Sequence, residues 1–167
     1  LGFHPNIDMN LFDAVNHALT TMPSGGFGTH DASIGYYDSV LVEAVITFFM
    51  FLTGINFTLI YFAMMRDWEK LWSDEEFKLY GFVTIIASSI MALSLVFTSE
   101  IGIGDAFRKT IFQAVSIGTS TGYSTADFAA WPAFATLILL FLMVVGASAG
   151  STSGGLKMLR LNLAIKA

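Results

Sequence analysis

The sequence predicts an all-α membrane protein made of tandem units, each a membrane helix, a short re-entrant helix, a glycine-containing loop and a second membrane helix, with the last helix broken. Three observations predict it. Of 167 residues, 54% are hydrophobic and only 13% are charged, and the mean hydropathy is positive; a soluble domain with an ordinary charged surface is more polar than this. The apolar residues are gathered into blocks of roughly 20 or more, about the thickness of a bilayer core, rather than spread along amphipathic stripes. Finally, the chain repeats itself at an offset of 96 residues: Ala18 aligns with Ala114, Ser24 with Ser120, Gly26 with Gly122, Phe27 with Tyr123, Thr29 with Thr125, Asp31 with Asp127 and, without a gap, Gly54 with Gly150.

The first unit occupies residues 1–66. Residues 10–22, NLFDAVNHALTTM, have helical periodicity behind an Asn cap. Thirteen residues reach only about 20 Å, too short to cross roughly 30 Å of hydrocarbon, so the helix is re-entrant, interfacial or a buried core helix, and it runs into the loop 23–31, PSGGFGTHD. Residues 39–65 follow as one apolar span with a single charge, Glu43, near its start; at ~1.5 Å per residue it covers about 40 Å. Residues 67–78 read as a charged cytoplasmic connector in which Trp68 and Trp72 are interface anchors. The second unit, 79–167, repeats the plan with a span at 79–98, a short helix at 105–117 behind an Asp cap, a loop at 118–127, TSTGYSTAD within it, and a last helix entered at Trp131-Pro132, where proline loses no hydrogen bond. A span that would open the first unit is expected ahead of residue 1. With no initiator methionine and no signal peptide in view, the chain reads as part of a longer protein.

Cysteine is absent, which excludes disulfides, thiolate metal sites and cysteine nucleophiles. Basic residues set the orientation. Arg66, Lys70, Lys78, Lys157, Arg160 and Lys166 fall on one side when the spans are counted, leaving Arg108 and Lys109 on the other. That other side collects Asp8, Asp13, Asp31, Asp38, Glu100, Asp105 and Asp127. The short helices and loops thus open onto an acidic exterior that draws cations and repels anions.

The loops carry the chemistry. A short helix whose C-terminal end points into the membrane turns its negative dipole end toward a cation, and a loop returning outward can offer backbone carbonyls in place of an ion's hydration shell. Ser120-Thr121-Gly122-Tyr123 has the layout of the TVGY part of a potassium-channel filter, glycine permitting a backbone that a side chain forbids. Ser24-Gly25-Gly26-Phe27 is a looser version. Either tetrapeptide alone is an ordinary turn sequence; two copies in register, each behind a short helix and ahead of a span, are not predicted by surface turns.

HALTTMPSGGFGTHDASIGYYDS, FQAVSIGTSTGYSTADF and GASAGSTSGGLK together resemble the potassium-uptake proteins of the Trk/Ktr/HKT superfamily, most closely the bacterial Trk-type pore subunit, over essentially the whole chain. In that family four units surround one pore, and the protein is a multi-pass homodimer in the bacterial inner membrane with a cytoplasmic nucleotide-binding regulatory ring. The resemblance implies that this chain holds the second unit from its pore helix onward and the third unit into its inner helix. It implies potassium as the bound ion, with no organic cofactor and no nucleic-acid partner. Gly26 and Gly122 match the filter glycines, and the carbonyls of Ser24, Gly25, Ser120 and Thr121 would line the path. The first and fourth units, including the basic residue that the family's fourth unit places below the filter, are not in this chain.

The segment 146–155, GASAGSTSGG, contains four glycines, three serines and a threonine directly after the apolar run 131–145. That run gives about 22 Å of helix, so the chain is still at membrane depth when the segment begins. Its counterpart 96 residues earlier, MFLTGINFTL, is expected to continue its helix unbroken. Glycine costs about 1 kcal/mol per helical position, and a break at that depth is tolerable only beside a cavity. The family resemblance implies a gate under the filter, formed by Gly146, Ser148, Gly150, Ser151, Thr152, Ser153, Gly154 and Gly155 and followed by Lys157.

Other readings were weighed on the same residues. Gly146, Gly150 and Gly154 are spaced by four, as in small-xxx-small helix packing. Gly-Ala-Ser148 suggests an intramembrane serine protease, which needs a histidine base on another span, whereas His4, His17 and His30 all precede the first span. GSTSGGLKM is no phosphate loop, because Met158 stands where Ser or Thr is required, and the sequon at 56–58 lies inside a span. Glu43 is either a functional acid or a residue reaching the interface. A non-conducting scaffold is the remaining class, against which the paired loops argue.

Overall fold

A computed structural model describes residues 9–99 and 101–166; His4, Asp8 and Glu100 lie outside them. These residues form eight α-helices and no strand: α1 (Leu11–Thr21), α2 (Val40–Thr53), α3 (Phe57–Met64), α4 (Trp68–Ser73), α5 (Glu75–Ser99), α6 (Ile103–Gly118), α7 (Ala133–Val145) and α8 (Met158–Lys166). Short 3-10 turns at 33–37 and 128–130 lead into α2 and α7.

α1 begins with a reciprocal cap. Asn10 accepts from the Asp13 amide at 2.8 Å and the Asp13 carboxylate takes the Asn10 amide at 3.4 Å, so two orphan donors of the first turn are satisfied. Asp13 is thereby buried and does not belong to the acidic exterior expected of it. α6 starts two residues before the expected 105, on Gly102 as N-cap, which leaves Asp105 in the first turn rather than at the cap. Pro132 is likewise the cap of α7 and not its first residue.

Among the described residues α5 is the one continuous helix long and apolar enough to cross a bilayer by length and composition. It begins at Glu75, four residues ahead of the expected 79, because the Asp74 carboxylate caps the Phe77 amide at 2.7 Å. The expected connector is consequently taken up by α4 and the first turn of α5. Its inward stripe, Tyr80, Thr84, Ala87, Ser88, Met91, Ala92 and Leu95, is rich in small residues, while Phe82, Ile85 and Phe97 face outward. Small residues inside and bulky ones outside let backbones approach closely in a setting where lipid already accommodates apolar side chains. Ser88 O accepts from the Thr110 hydroxyl of α6 at 3.0 Å. Ala87 and Met91 pack with Ala114 of α6 and with Ala135, Leu139 and Leu142 of α7. A second cluster, Val42, Ile46 and Met50 of α2 with Phe112 and Val115 of α6 and Tyr123, joins the two units.

The span expected at 39–65 is not a single helix. α2 and α3 meet at 108° across Gly54–Asn56, and the presumed unbroken counterpart of 146–155 is therefore itself broken. The causes are local. Gly54 ends α2, with its amide on Met50 O and Phe51 O at 3.2 Å each. Asn56 starts α3 by accepting from the Thr58 amide at 2.9 Å. A Cβ at Gly54 would sit 2.4 Å from the Tyr80 hydroxyl and 3.0 Å from the Thr119 methyl, so only glycine admits the crossing of α5 there. Glu43, expected near the interface, is buried on α2 with a carboxylate oxygen 3.6 Å from Arg108 Nε of α6.

At the opposite end of α5 from Ser99, Glu75 meets Lys166 of α8, so the basic C-terminus and the connector lie at one end of the molecule. Gly54→Ala should destabilise the detergent-solubilised protein by about 1–3 kcal/mol through overpacking against Tyr80. Thermal unfolding reads the loss, and Tyr80→Phe in the same chain should recover part of it.

Candidate functional site

The two short helices end in the same hydrogen-bond pattern. In the first unit the amides of Ser24, Gly25 and Gly26 bond to Thr21 O, Thr20 O and Thr20 O at 3.1, 2.8 and 3.3 Å; in the second those of Ser120, Thr121 and Gly122 bond to Ile117 O, Ser116 O and Ser116 O at 3.0, 2.9 and 3.2 Å. Every one of these pairs matches at the 96-residue offset. So do two hydroxyl bonds, Thr20 Oγ1 to Phe27 O at 2.8 Å and Ser116 Oγ to Tyr123 O at 2.7 Å. The orphan carbonyls at each helix C-terminus are met by loop amides instead of water.

Three successive amides of each loop therefore point back into its short helix. Among the described residues no hydrogen bond is accepted by the carbonyls of Ser24, Gly25, Gly26, Ser120, Thr121 or Gly122. The backbone explains how. Ser24 and Gly26 have φ of 57° and 65°, Ser120 and Gly122 of 60° and 87°, while the residue between each pair does not. Alternating hands aim successive carbonyls to one side, where a β-strand sends them to opposite sides. Six carbonyl oxygens with free lone pairs and no fixed charge can replace the water around a cation and offer an anion nothing. The left-handed region is costly for serine, of order 1–2 kcal/mol, and it is in use twice at equivalent positions.

The loops lie against each other: a Cβ on Gly26 would fall 1.7 Å from Thr121 O. Tyr123 is fully buried and reaches back to the first unit, its hydroxyl 2.6 Å from Thr20 Oγ1. Phe27, its equivalent, is 75% exposed. Behind the filter, His17 and Gln113 share a station in the repeat, and both are buried. His17 Nδ1 meets Asp13 O at 2.7 Å, but His17 Nε2 and both amide atoms of Gln113 find no partner among the described residues. At the outer end, Asp31 and Asp127 line one cleft of about 370 Å³ with Ser33, Gly35, Ser124 and Thr125.

Residues 146–157 carry no helix. Gly146, Gly150 and Gly155 have φ of 74°, 71° and 84°, which rules out the small-xxx-small helix face. The segment is a loop closed at its base: the amides of Leu156, Lys157 and Met158 return to Val144 O, Val145 O and Ala147 O at 2.9, 2.8 and 3.0 Å. Its tip is bound on two sides. The bend between α2 and α3 takes the amides of Ser148 and Thr152 on Gly54 O and Thr53 O at 3.0 and 3.4 Å and gives the Phe57 amide to Gly150 O at 3.1 Å. The filter takes the rest: Thr152 Oγ1 lies 2.7 Å from Ser24 Oγ, and the Gly154 amide donates to Ser120 Oγ at 3.0 Å. Ser24 and Ser120 are close behind the C-terminal ends of the short helices, so the segment meets both glycine loops where they leave those helices. Ser151 and Ser153 tie the loop internally at 3.0 Å, and Lys157 Nζ donates to Ser153 O. Ser148 Oγ has no partner among the described residues, and both described histidines are engaged elsewhere, His17 with Asp13 and His30 stacked on Tyr36.

The matched spacing of the two glycine loops was readable in the sequence. The pairing of loop and bend was not, nor was the role of Glu76, whose carboxylate oxygen accepts from the Ala149 and Leu159 amides at 2.6 and 2.9 Å. A carboxylate in the acidic run DEEF gives no sign of which of its members turns inward. Among the described residues no cluster of three or more His, Cys, Asp or Glu could hold a metal, which leaves the carbonyl rows as the ion-binding candidates.

Two re-entrant helices ending in carbonyl-lined loops, set between apolar helices, define a pore-loop membrane protein. Residues 5–167 match the TrkH model, described as a cation transport protein, and the chain belongs to that family. It is 38% identical over 162 residues to the Trk system potassium uptake protein TrkH of Vibrio parahaemolyticus, covering 93% of this chain and 33% of that protein. It is also 38% identical over 164 residues to TrkH of Escherichia coli, covering 95% and 33%. The crystal structure of the potassium transporter TrkH from Vibrio parahaemolyticus superposes with a TM-score of 0.88 at 37% identity, over 95% of this chain and 35% of that one. The chain thus spans about a third of the length of the curated relatives it matches. These relatives are transporters and not enzymes, which removes the protease reading.

Gly26→Ala should be the most damaging single-atom change in the filter, because it adds a 1.7 Å contact with Thr121 O to a positive φ. The strain outweighs the roughly 0.4–1 kcal/mol that a Gly-to-Ala exchange gains at a compatible position, and potassium-dependent growth of cells relying on the full-length protein should fail.

Proposed function

We propose that the chain supplies two of four filter segments to a potassium-uptake pore, with the loop 146–155 as a gate beneath them. The observation that carries this reading is the duplicated set of hydrogen bonds that turns three successive amides of each loop into its helix and leaves six carbonyls uncommitted. Potassium holds its water weakly enough for backbone oxygens to replace it, and the acidic cleft at Asp31 and Asp127 concentrates cations at the outer mouth. The ring closes around further loops: Gly26 abuts Thr121 of the next loop, while Gly122, with the same backbone, has open space where another loop would lie. Such a pore needs the first and fourth units of the longer protein. As a multi-pass protein of the bacterial inner membrane it faces lipid with the outer side of α5. Following the family, it works as a homodimer under a cytoplasmic nucleotide-binding ring.

The loop gates because it occupies the inner end of the filter and is held there by reversible hydrogen bonds rather than by covalent continuity or apolar packing. Flux measurements on the full-length protein in liposomes test both parts. Gly122→Ser should lower potassium over sodium selectivity by at least roughly tenfold, equivalent to about 1.4 kcal/mol of differential binding; unchanged selectivity removes Gly122 from the filter. Deletion of 148–153 should raise flux while keeping selectivity, and normal flux in that variant rules gating out.

A further inference from the structure

Glu76 stands in the first turn of α5, at the connector end. Its neighbour Glu75 turns outward to Lys166 and Asn162 of α8, whereas Glu76 turns inward and is buried. One oxygen, Oε1, receives two backbone amides from separate places: Ala149, inside the loop, at 2.6 Å, and Leu159, in the first turn of α8, at 2.9 Å. Hydrogen bonds to a carboxylate are roughly twice as strong as neutral ones, and Leu159 presents its amide at a helix N-terminus, where negative charge is favoured. Lys157, between the two amides in sequence, adds an electrostatic attraction to Glu76. The Ala149 amide, half-buried, has no other acceptor among the described residues, so losing Glu76 leaves it to find water, which draws the loop toward solvent.

We propose that Glu76 is the positioning residue that holds the 146–155 loop under the filter, fastening the loop and α8 together to the connector end of α5. The filter serines and the α2–α3 bend hold the tip of the loop. Glu76 holds its shoulder: a side chain of α5 receives an amide of the loop and an amide of α8 on one oxygen. Beside the backbone bond from Met158 to Ala147, this carboxylate couples movement of the connector end of α5 to the loop. The consequence for flux rests on the reading of the loop as a gate; the positional claim does not.

The test uses the full-length protein in liposomes, with Ser151→Cys as the single reactive thiol and a water-soluble thiol reagent on the connector side. Glu76→Ala should speed labelling by on the order of tenfold, equivalent to about 1.4 kcal/mol. Glu76→Asp, which keeps the charge and the start of α5 but withdraws the carboxylate by one methylene, should speed it by less, and Glu76→Gln, which keeps an acceptor oxygen, should stay near the parent rate. Rubidium flux should rise in the same order, with potassium over sodium selectivity unchanged, since no filter bond involves Glu76. Wild-type labelling in Glu76→Asp overturns the proposal even where Glu76→Ala fails to fold. Faster labelling supports it whatever the 148–153 deletion does to flux, and that deletion alone decides whether the loop gates.

Discussion

A filter loop has amides to satisfy and, at membrane depth, no water to satisfy them. Thr20 O and Ser116 O, each accepting two of those amides, are the solution on which the rest of the site depends. The last carbonyls of a helix have no partner of their own, so helix and loop complete one another. Once the amides face the helix, the carbonyls must face away, and the chain can do this only by placing Ser24, Gly26, Ser120 and Gly122 in the left-handed region. The small inward face of α5 serves the same end: it lets α6 approach closely enough for Thr110 to bond the α5 backbone at Ser88 O.

The same logic operates on the inner side. Two interrupted helices face each other, α2–α3 and α7–α8, and each supplies what the other lacks. Thr53 and Gly54 carbonyls released at the bend are taken by amides of the loop, and the Phe57 amide at the start of α3 returns to Gly150 O. Gly54 and Gly150 are repeat equivalents, so one ancestral weak point has taken two forms, a sharp corner and a long excursion. Neither would be tolerable alone in hydrocarbon; together they leave few polar groups without partners.

Much of this was legible in the sequence, and the misses have physical causes. The short helices were readable because an Asn cap and 3.6-residue periodicity are local signals, and the filter glycines because the repeat makes a weak tetrapeptide specific. The bend at 54–56 was hidden inside an apolar run: hydropathy reports burial in lipid but not helical continuity, and the corner is fixed by Tyr80, far away in sequence. Its only local trace is the glycine followed by an Asn that can cap a new helix. Asp13 reads as part of the acidic exterior, Glu76 as part of the charged connector and Glu43 as a functional acid or an interfacial one, because one sequence cannot show which carboxylates find amides or Arg108 across a helix interface.

The loop's base is closed by the bonds from Leu156 and Lys157 to Val144 and Val145, so α8 begins beside the last turn of α7 whatever lies between them. The rotational phase of the two helices is independent of how many residues the excursion contains. The segment between Gly146 and Gly155 can be lengthened, shortened or recomposed without re-registering the helical scaffold, so its composition is free to vary while the architecture stays intact.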